Sequence, residues 1–250
     1  MSEPRNLDGQ VALVTGSAVR VGAAIVRELH ANGASVAIHY RSSRAPADAL
    51  ADELNSLRDD SARTFQADLA DTPKIAGLIE ACAAWKDRLD IVINNASSFY
   101  PTPIEEVTEE AWEDLVGSNL KAPLFVAKAA APYLREACGS LINIVDIHAQ
   151  RPLKDHLIYG PAKAGLAMLT RSLAKDLGPD IRVNGVSPGA ILWPTDGMED
   201  AAKASILKQI PLKRTGTPED IAGCVLYLVR DADYVTGQII AVDGGRSVGW

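Results

Sequence analysis

The chain has 250 residues, of which 47% are hydrophobic and 23% charged, a composition that supports one large α/β core or two small ones. Its net charge of −7 repels phosphate backbones and argues against nucleic acid as a partner, while leaving room for a local basic pocket around a small anion. No stretch approaches the about 18 apolar residues of a membrane span, and the opening "MSEPRNLDGQ" has no apolar run. Cys82, Cys138 and Cys224 lack C-x-x-C spacing and the histidines lack metal-ligand spacing, so a cytoplasmic protein without structural metal or membrane contact is expected.

Short β-branched runs alternate with longer helical patterns, the mark of parallel βαβ units. "QVALVTG" (10–16) predicts a first strand and "AAIVRELHANG" (23–33) its helix; "ASVAIHY" (34–40) predicts a second strand before a helix over 45–58. "SARTFQADL" (61–69) is a third, with a helix over 72–86, and "LDIVINNAS" (89–97) a fourth, with a long helix over 108–136. "GSLINIVD" (139–146) leads into a helix over 156–177, "IRVNGVSPG" (181–189) follows, and "GQIIAVDGG" (237–245) comes after a helix over 218–230. The runs are nearly continuously apolar, as in strands covered on both faces. Residues 194–216 break the rhythm with Pro, Gly and a short helical pattern, and read as a substrate lid near 190–216 that carries Trp193 and Met198. Nothing resembles a linker or a repeat. The prediction is a single domain over 1–250, a Rossmann-type doubly wound parallel sheet of about seven strands.

"VTGSAVRVGAA" (14–24) follows the first strand and opens a helix, so Gly16 and Gly22 let the backbone approach a pyrophosphate where free N–H groups favour anions. A strict G-x-G-x-x-G is absent. At the end of the second strand, "IHYRSSR" (38–44) offers no carboxylate to hold a ribose 2′-hydroxyl. Arg41, helped by Ser42 or Ser43, can instead make charge-assisted bonds to a 2′-phosphate, which favours NADPH. Tyr159 and Lys163 are four apart and share a helical face, about 6 Å along the axis. An ammonium and a cationic nicotinamide both favour the phenolate, which predicts a Tyr159 pKa below its ordinary value of about 10.

"TGSAVRVG", "NNAS" and the Tyr159–Lys163 pair, in that order over nearly the whole chain, resemble the short-chain dehydrogenase/reductase family. The resemblance implies cofactor contacts from Gly16, Arg20, Val21 and Gly22 in the turn and from His39, Tyr40, Arg41 and Ser42 after the second strand. It implies further contacts from Asp68 and Leu69 near the adenine, from Asn94, Ala96 and Ser97, and from Pro188 and Gly189 beside the nicotinamide. For Asp68, a cap on the helix beginning near Asp71 is an equal alternative. Lys163 would also bind the ribose, and Asn119 in "GSNLKAP" matches the family's asparagine that holds a water between Lys163 and solvent.

Asp146 stands where most members of this family carry a serine that supports the oxyanion of a carbonyl being reduced. An ionised carboxylate about 4 Å from an alkoxide would oppose it by about 4 kcal/mol at an effective dielectric near 20. That is roughly three powers of ten in rate. A ring nitrogen that gains a proton as its neighbouring carbon gains hydride has the opposite need, although a protonated Asp146 could still donate to an oxyanion. "NNASSFYPTP" (94–103), the arginine at 20 and the aspartate at 146 are very similar to the pteridine reductases. In that family the pterin lies between the nicotinamide and a phenylalanine, here Phe99, with Ser97 bonding pterin and cofactor phosphate and Arg20 at the pocket mouth. Val19 departs from the basic residue usual before that arginine, and His156 stands where relatives often carry an aromatic. The implied activity is NADPH-dependent reduction of dihydropterin, with dihydrofolate and oxidised pterins as further candidates. The implied assembly is a homotetramer built partly from the helices at 108–136 and 156–177, with Trp250 reaching a neighbour's site. The rivals are a reductase of ketones or 3-oxoacyl thioesters and a catalytically silent dinucleotide sensor; intact Tyr159, Lys163 and Asn119 speak against the latter.

Overall fold

The computed structural model describes residues 6–193 and 199–248. Seven strands form one sheet: β1 (Val11–Val14), β2 (Ser35–Tyr40), β3 (Ala62–Gln66), β4 (Ile91–Asn94), β5 (Ser140–Ile144), β6 (Arg182–Pro188) and β7 (Ile239–Val242). Their order is β3-β2-β1-β4-β5-β6-β7 and every pairing is parallel, as the apolar runs require. All residues of β1, β4 and β5 are buried, because helices cover both faces.

On one face lie α1 (Arg20–Ala31), α2 (Arg44–Leu57) and α8 (Pro218–Arg230), whose Ile25, Leu29, Leu50, Leu54 and Val225 pack with Val14, Val36 and Ile93. On the other lie α3 (Thr72–Lys86), α5 (Ala122–Glu136) and the end of α6 (Tyr159–Leu177), where Ile75, Ile79, Val126 and Leu134 meet Leu13, Val92 and Leu141. Between β1 and β4 the chain's progression across the sheet reverses. The loops after these two strands therefore diverge and leave a crevice at the C-terminal edge, where dinucleotides bind in such sheets.

Three predicted elements differ in detail. The helix expected over 108–136 is α4 (Glu109–Val116), capped by the Thr108 hydroxyl, then a π-turn over Gly117–Lys121, then α5. The helix expected from 156 starts at Tyr159, because Pro152 and the left-handed Asp155 (φ 59°) hold the preceding loop in turns. The segment expected to form a lid contains α7 (Asp200–Gln209), which buries none of its residues; Met198 lies outside the described residues. Among the described residues no helix is long and apolar enough to cross a membrane.

Candidate active site

The loop after β1 is built around two close approaches. Gly16 has φ +60°, and a Cβ there would lie 2.8 Å from Ala96 Cα; one on Gly22 would lie 2.6 Å from Ser17 Cα. Side chains brace the loop from behind. Asn95 Nδ2 donates to the carbonyls of Thr15 (2.9 Å) and Gly16 (3.0 Å), and Thr15 Oγ1 accepts from the amides of Asn95 and Ala96. The result is a closely braced turn at the start of α1, whose first turn carries no acid. These residues fit a dinucleotide pyrophosphate.

Arg20 opens α1 with φ +57°, a left-handed conformation that costs an L-residue about 1 kcal/mol. Arg20 and Val19 are exposed, while Val21 packs on the core.

Two residues expected at the cofactor have side chains bonded within the protein. His39 is buried, its Nδ1 accepting the Gly16 amide (3.0 Å) and its Nε2 donating to the Ala67 carbonyl (3.2 Å). Burial lowers its pKa to about 4, against weaker help from the Ala67 carbonyl, so the ring is a neutral strut for the loop. Asn94 Nδ2 donates to Asn143 Oδ1 (2.8 Å) across the β4–β5 pair, so this side chain also belongs to the core; Asn95, unassigned in the sequence reading, faces the crevice loop instead. Tyr40 is buried under the Arg44 guanidinium, which also donates to Gln66 Oε1. Arg41, Ser42, Ser43 and Arg44 are exposed beyond β2, two guanidiniums with no acid among them. Asp68 is exposed and accepts from the Ala70 amide, and Asp71 holds the N-cap position of α3 instead, so the capping alternative for Asp68 falls; Leu69 is half-buried.

Asp146 leaves β5 in extended backbone and begins a short turn, Ile147–Ala149. Its Oδ1 accepts the His148 amide (2.8 Å) and its Oδ2 accepts the Tyr159 hydroxyl (2.8 Å). Lys163 is fully buried and donates to the Ile144 carbonyl (2.9 Å), with its ammonium 5.7 Å from the Tyr159 ring centre. Burial lowers the Lys163 pKa to about 8, with Asp146 opposing. Tyr159 departs from expectation: burial, then the charge and hydrogen bond of Asp146, raise its pKa well above the ordinary value. Burial first, and then the carboxylate, hold Tyr159 as a neutral proton donor.

Asn119 sits in the π-turn, where Nδ2 donates to the carbonyls of Ser98 (2.9 Å) and Leu115 (3.0 Å). Its Oδ1 is buried and has no protein partner, an acceptor suited to an ordered water. The loop after β4 is pinned to the loop before α6 by the Thr102 amide on the Asp155 carbonyl (2.5 Å). That contact brings Phe99 against His156, stacked at 4.8 Å, and edge-on to Tyr159 at 4.8 Å. Ser97 and half of Phe99 are exposed beside them. Pro188 and Gly189 end β6 on the same edge, Trp193 is half-buried at the limit of the described residues, and Trp250 lies outside them.

A switch-point crevice with a glycine cradle, next to a buried Tyr–Lys pair, defines a dinucleotide-dependent oxidoreductase. A family profile described as enoyl-(acyl carrier protein) reductase matches residues 16–247. The chain is 38% identical to pteridine reductase 1 of Leishmania tarentolae, over 95% of this chain and 96% of that one. It is 37% identical to an uncharacterized oxidoreductase of Methylorubrum extorquens (96% and 98% covered) and 35% identical to a 3-oxoacyl-(acyl-carrier-protein) reductase of Staphylococcus aureus (94% and 96%). The chain belongs to the short-chain dehydrogenase/reductase family and is an oxidoreductase that uses a nicotinamide dinucleotide.

Proposed function

We propose that this enzyme is an NADPH-dependent pteridine reductase that converts dihydropterin to tetrahydropterin. The observation that carries the reading is the 2.8 Å hydrogen bond from the Tyr159 hydroxyl to Asp146. A carboxylate at that point opposes an alkoxide, but it serves a C=N bond, which becomes CH–NH and needs a proton on nitrogen. When bound, the reduced nicotinamide supplies the hydride. Tyr159 protonates the ring nitrogen while Asp146, loaded from solvent, returns a proton to Tyr159. Lys163 would bind the ribose and, with a water on Asn119, would connect the site to solvent. Phe99 offers a face for a flat heterocycle, with His156 behind it and Ser97 and Arg20 at the rim.

Arg41 and Ser42, joined by Arg44, favour a 2′-phosphate. NADPH should therefore be preferred over NADH, and Arg41→Asp should narrow or reverse that preference; equal kcat/KM for the two cofactors in the wild type refutes it. We assign the enzyme to the cytoplasm, where its free thiols stay reduced, and assign it a tetrameric assembly. Trp112, Leu124 and Met168, apolar yet exposed on α4, α5 and α6, support that assembly. The deciding experiment is NADPH consumption against dihydropterins, dihydrofolate and an acetoacetyl thioester. Dihydropterins should turn over fastest; turnover of the thioester alone would make this a carbonyl reductase.

A further inference from the structure

The catalytic carboxylate is tied to the end of the chain. We propose that Arg151 is a positioning residue that clamps the Asp146 loop onto the turn formed by residues 243–248. The proposal rests on the reading of Asp146 and Tyr159 as the proton-transfer pair.

Arg151 closes the loop that Asp146 opens. The Asp146 carboxylate accepts the His148 amide, and His148 Nδ1 donates to the Arg151 carbonyl (2.8 Å). The Arg151 amide donates back to the Ile147 carbonyl (3.0 Å). From this compact loop the guanidinium reaches across 96 positions of sequence, its Nε (3.0 Å) and Nη2 (2.7 Å) both donating to the Ser247 carbonyl. Two N–H groups of one planar cation on one oxygen fix direction as well as distance.

The turn that receives it is itself rigidly held. Asp243 accepts the amides of Gly245 (2.8 Å) and Ser247 (2.6 Å), while Gly244 and Gly245 take left-handed conformations. The same turn abuts two further parts of the C-terminal edge. A Cβ on Gly189 would lie 2.6 Å from Asp243 Cβ, and the Gly189 amide donates to the Val242 carbonyl. The Leu212 amide, beyond α7, donates to the Gly244 carbonyl (3.1 Å). One turn thus sets the Asp146 loop, the end of β6 and the base of the lid region relative to one another. Arg151 is the link on the catalytic side.

The test uses the full chain. Arg151→Gln should speed amide hydrogen exchange at residues 147–151, and a truncation after Arg246 should do the same. Misplacing the carboxylate should lower kcat by about tenfold and leave KM for NADPH unchanged. The charged groups around the Tyr159 hydroxyl are Asp146 and Lys163, with His156 beside the ring. A carboxylate that wanders off stops holding the phenol proton, so the alkaline limb of kcat should move to lower pH. Combined with the truncation after Arg246, Arg151→Gln should add nothing further to the loss in kcat. Arg151→Lys, which keeps a donor and a charge, should recover part of the loss and serves if the glutamine variant fails to fold. Unchanged exchange at 147–151 in Arg151→Gln, or additive losses in the double variant, overturns the clamp. A wild type inactive on dihydropterin refutes the pteridine reading instead, and the exchange measurements still decide the clamp.

Discussion

Asp146 makes the most exposed prediction, because its two oxygens serve different purposes. Oδ1 shapes the loop through the His148 amide, and Oδ2 holds the Tyr159 proton. Asp146→Ser keeps a short polar cap but removes the charge and the relay to Tyr159. It should lower kcat on dihydropterin by about 10²–10⁴, the usual loss for an acid–base group. NADPH affinity should survive, since Lys163 and the glycine cradle are untouched, and any trace activity on activated ketones should hold or rise. Steady-state kinetics on both substrate classes check this; wild-type turnover of dihydropterin by the variant would remove the physical support for a pterin substrate. The residue-level sequence reading failed where adjacent side chains diverge. "NN" at 94–95 reads the same twice, yet Asn94 ends β4 paired to Asn143 while Asn95 braces the loop after β1, and only the strand's end decides between them. His39 is hard to place from sequence for a similar reason. A histidine beside "YRSS" looks like part of a polar loop, but it is the buried fifth residue of β2.

That strut gives the loop after β1 a pH dependence of its own. His39 has a folded-state pKa of about 4 against 6.5 unfolded. Above pH 6.5 both states are neutral and the His39 contribution is complete. As pH falls from 6.5 toward 4, the unfolded chain takes up a proton that the folded ring refuses, and stability is lost by up to about 3 kcal/mol. Thermal melts between pH 7 and 4.5 should therefore show a steeper fall for the wild type than for His39→Gln, which cannot titrate. Parallel slopes would assign the acid sensitivity to other groups. At this scale most elements were legible, because continuous apolar runs and amphipathic periods report burial directly. The π-turn at Gly117–Lys121 was not, since the helical pattern continues on both sides of it and a single extra residue leaves no periodic mark. Nor was the Arg151–Ser247 contact, whose partners come together only when β5 and β7 join the same sheet.

Across the whole molecule, every group assigned to chemistry sits where strands end. The N-terminal edge of the sheet carries instead the Arg88–Asp90 ion pair, the Val11 amide on Asp90 and the turn that leads into β5. Cys138 lies in that turn and is exposed, whereas Cys82 is buried with its thiol pushed up by desolvation, and Cys224 is part-buried with its pKa raised to about 11. The sheet thus separates its most accessible thiol from its crevice by the full length of β5. Maleimide should react first at Cys138 and leave NADPH binding intact, with peptide mapping of the singly labelled protein as the check; faster labelling at Cys224 would contradict it. Anchored to a bead or an electrode through that sulfur, the enzyme would stand with its reaction face turned toward the bulk solution, an orientation that random coupling through surface lysines cannot impose.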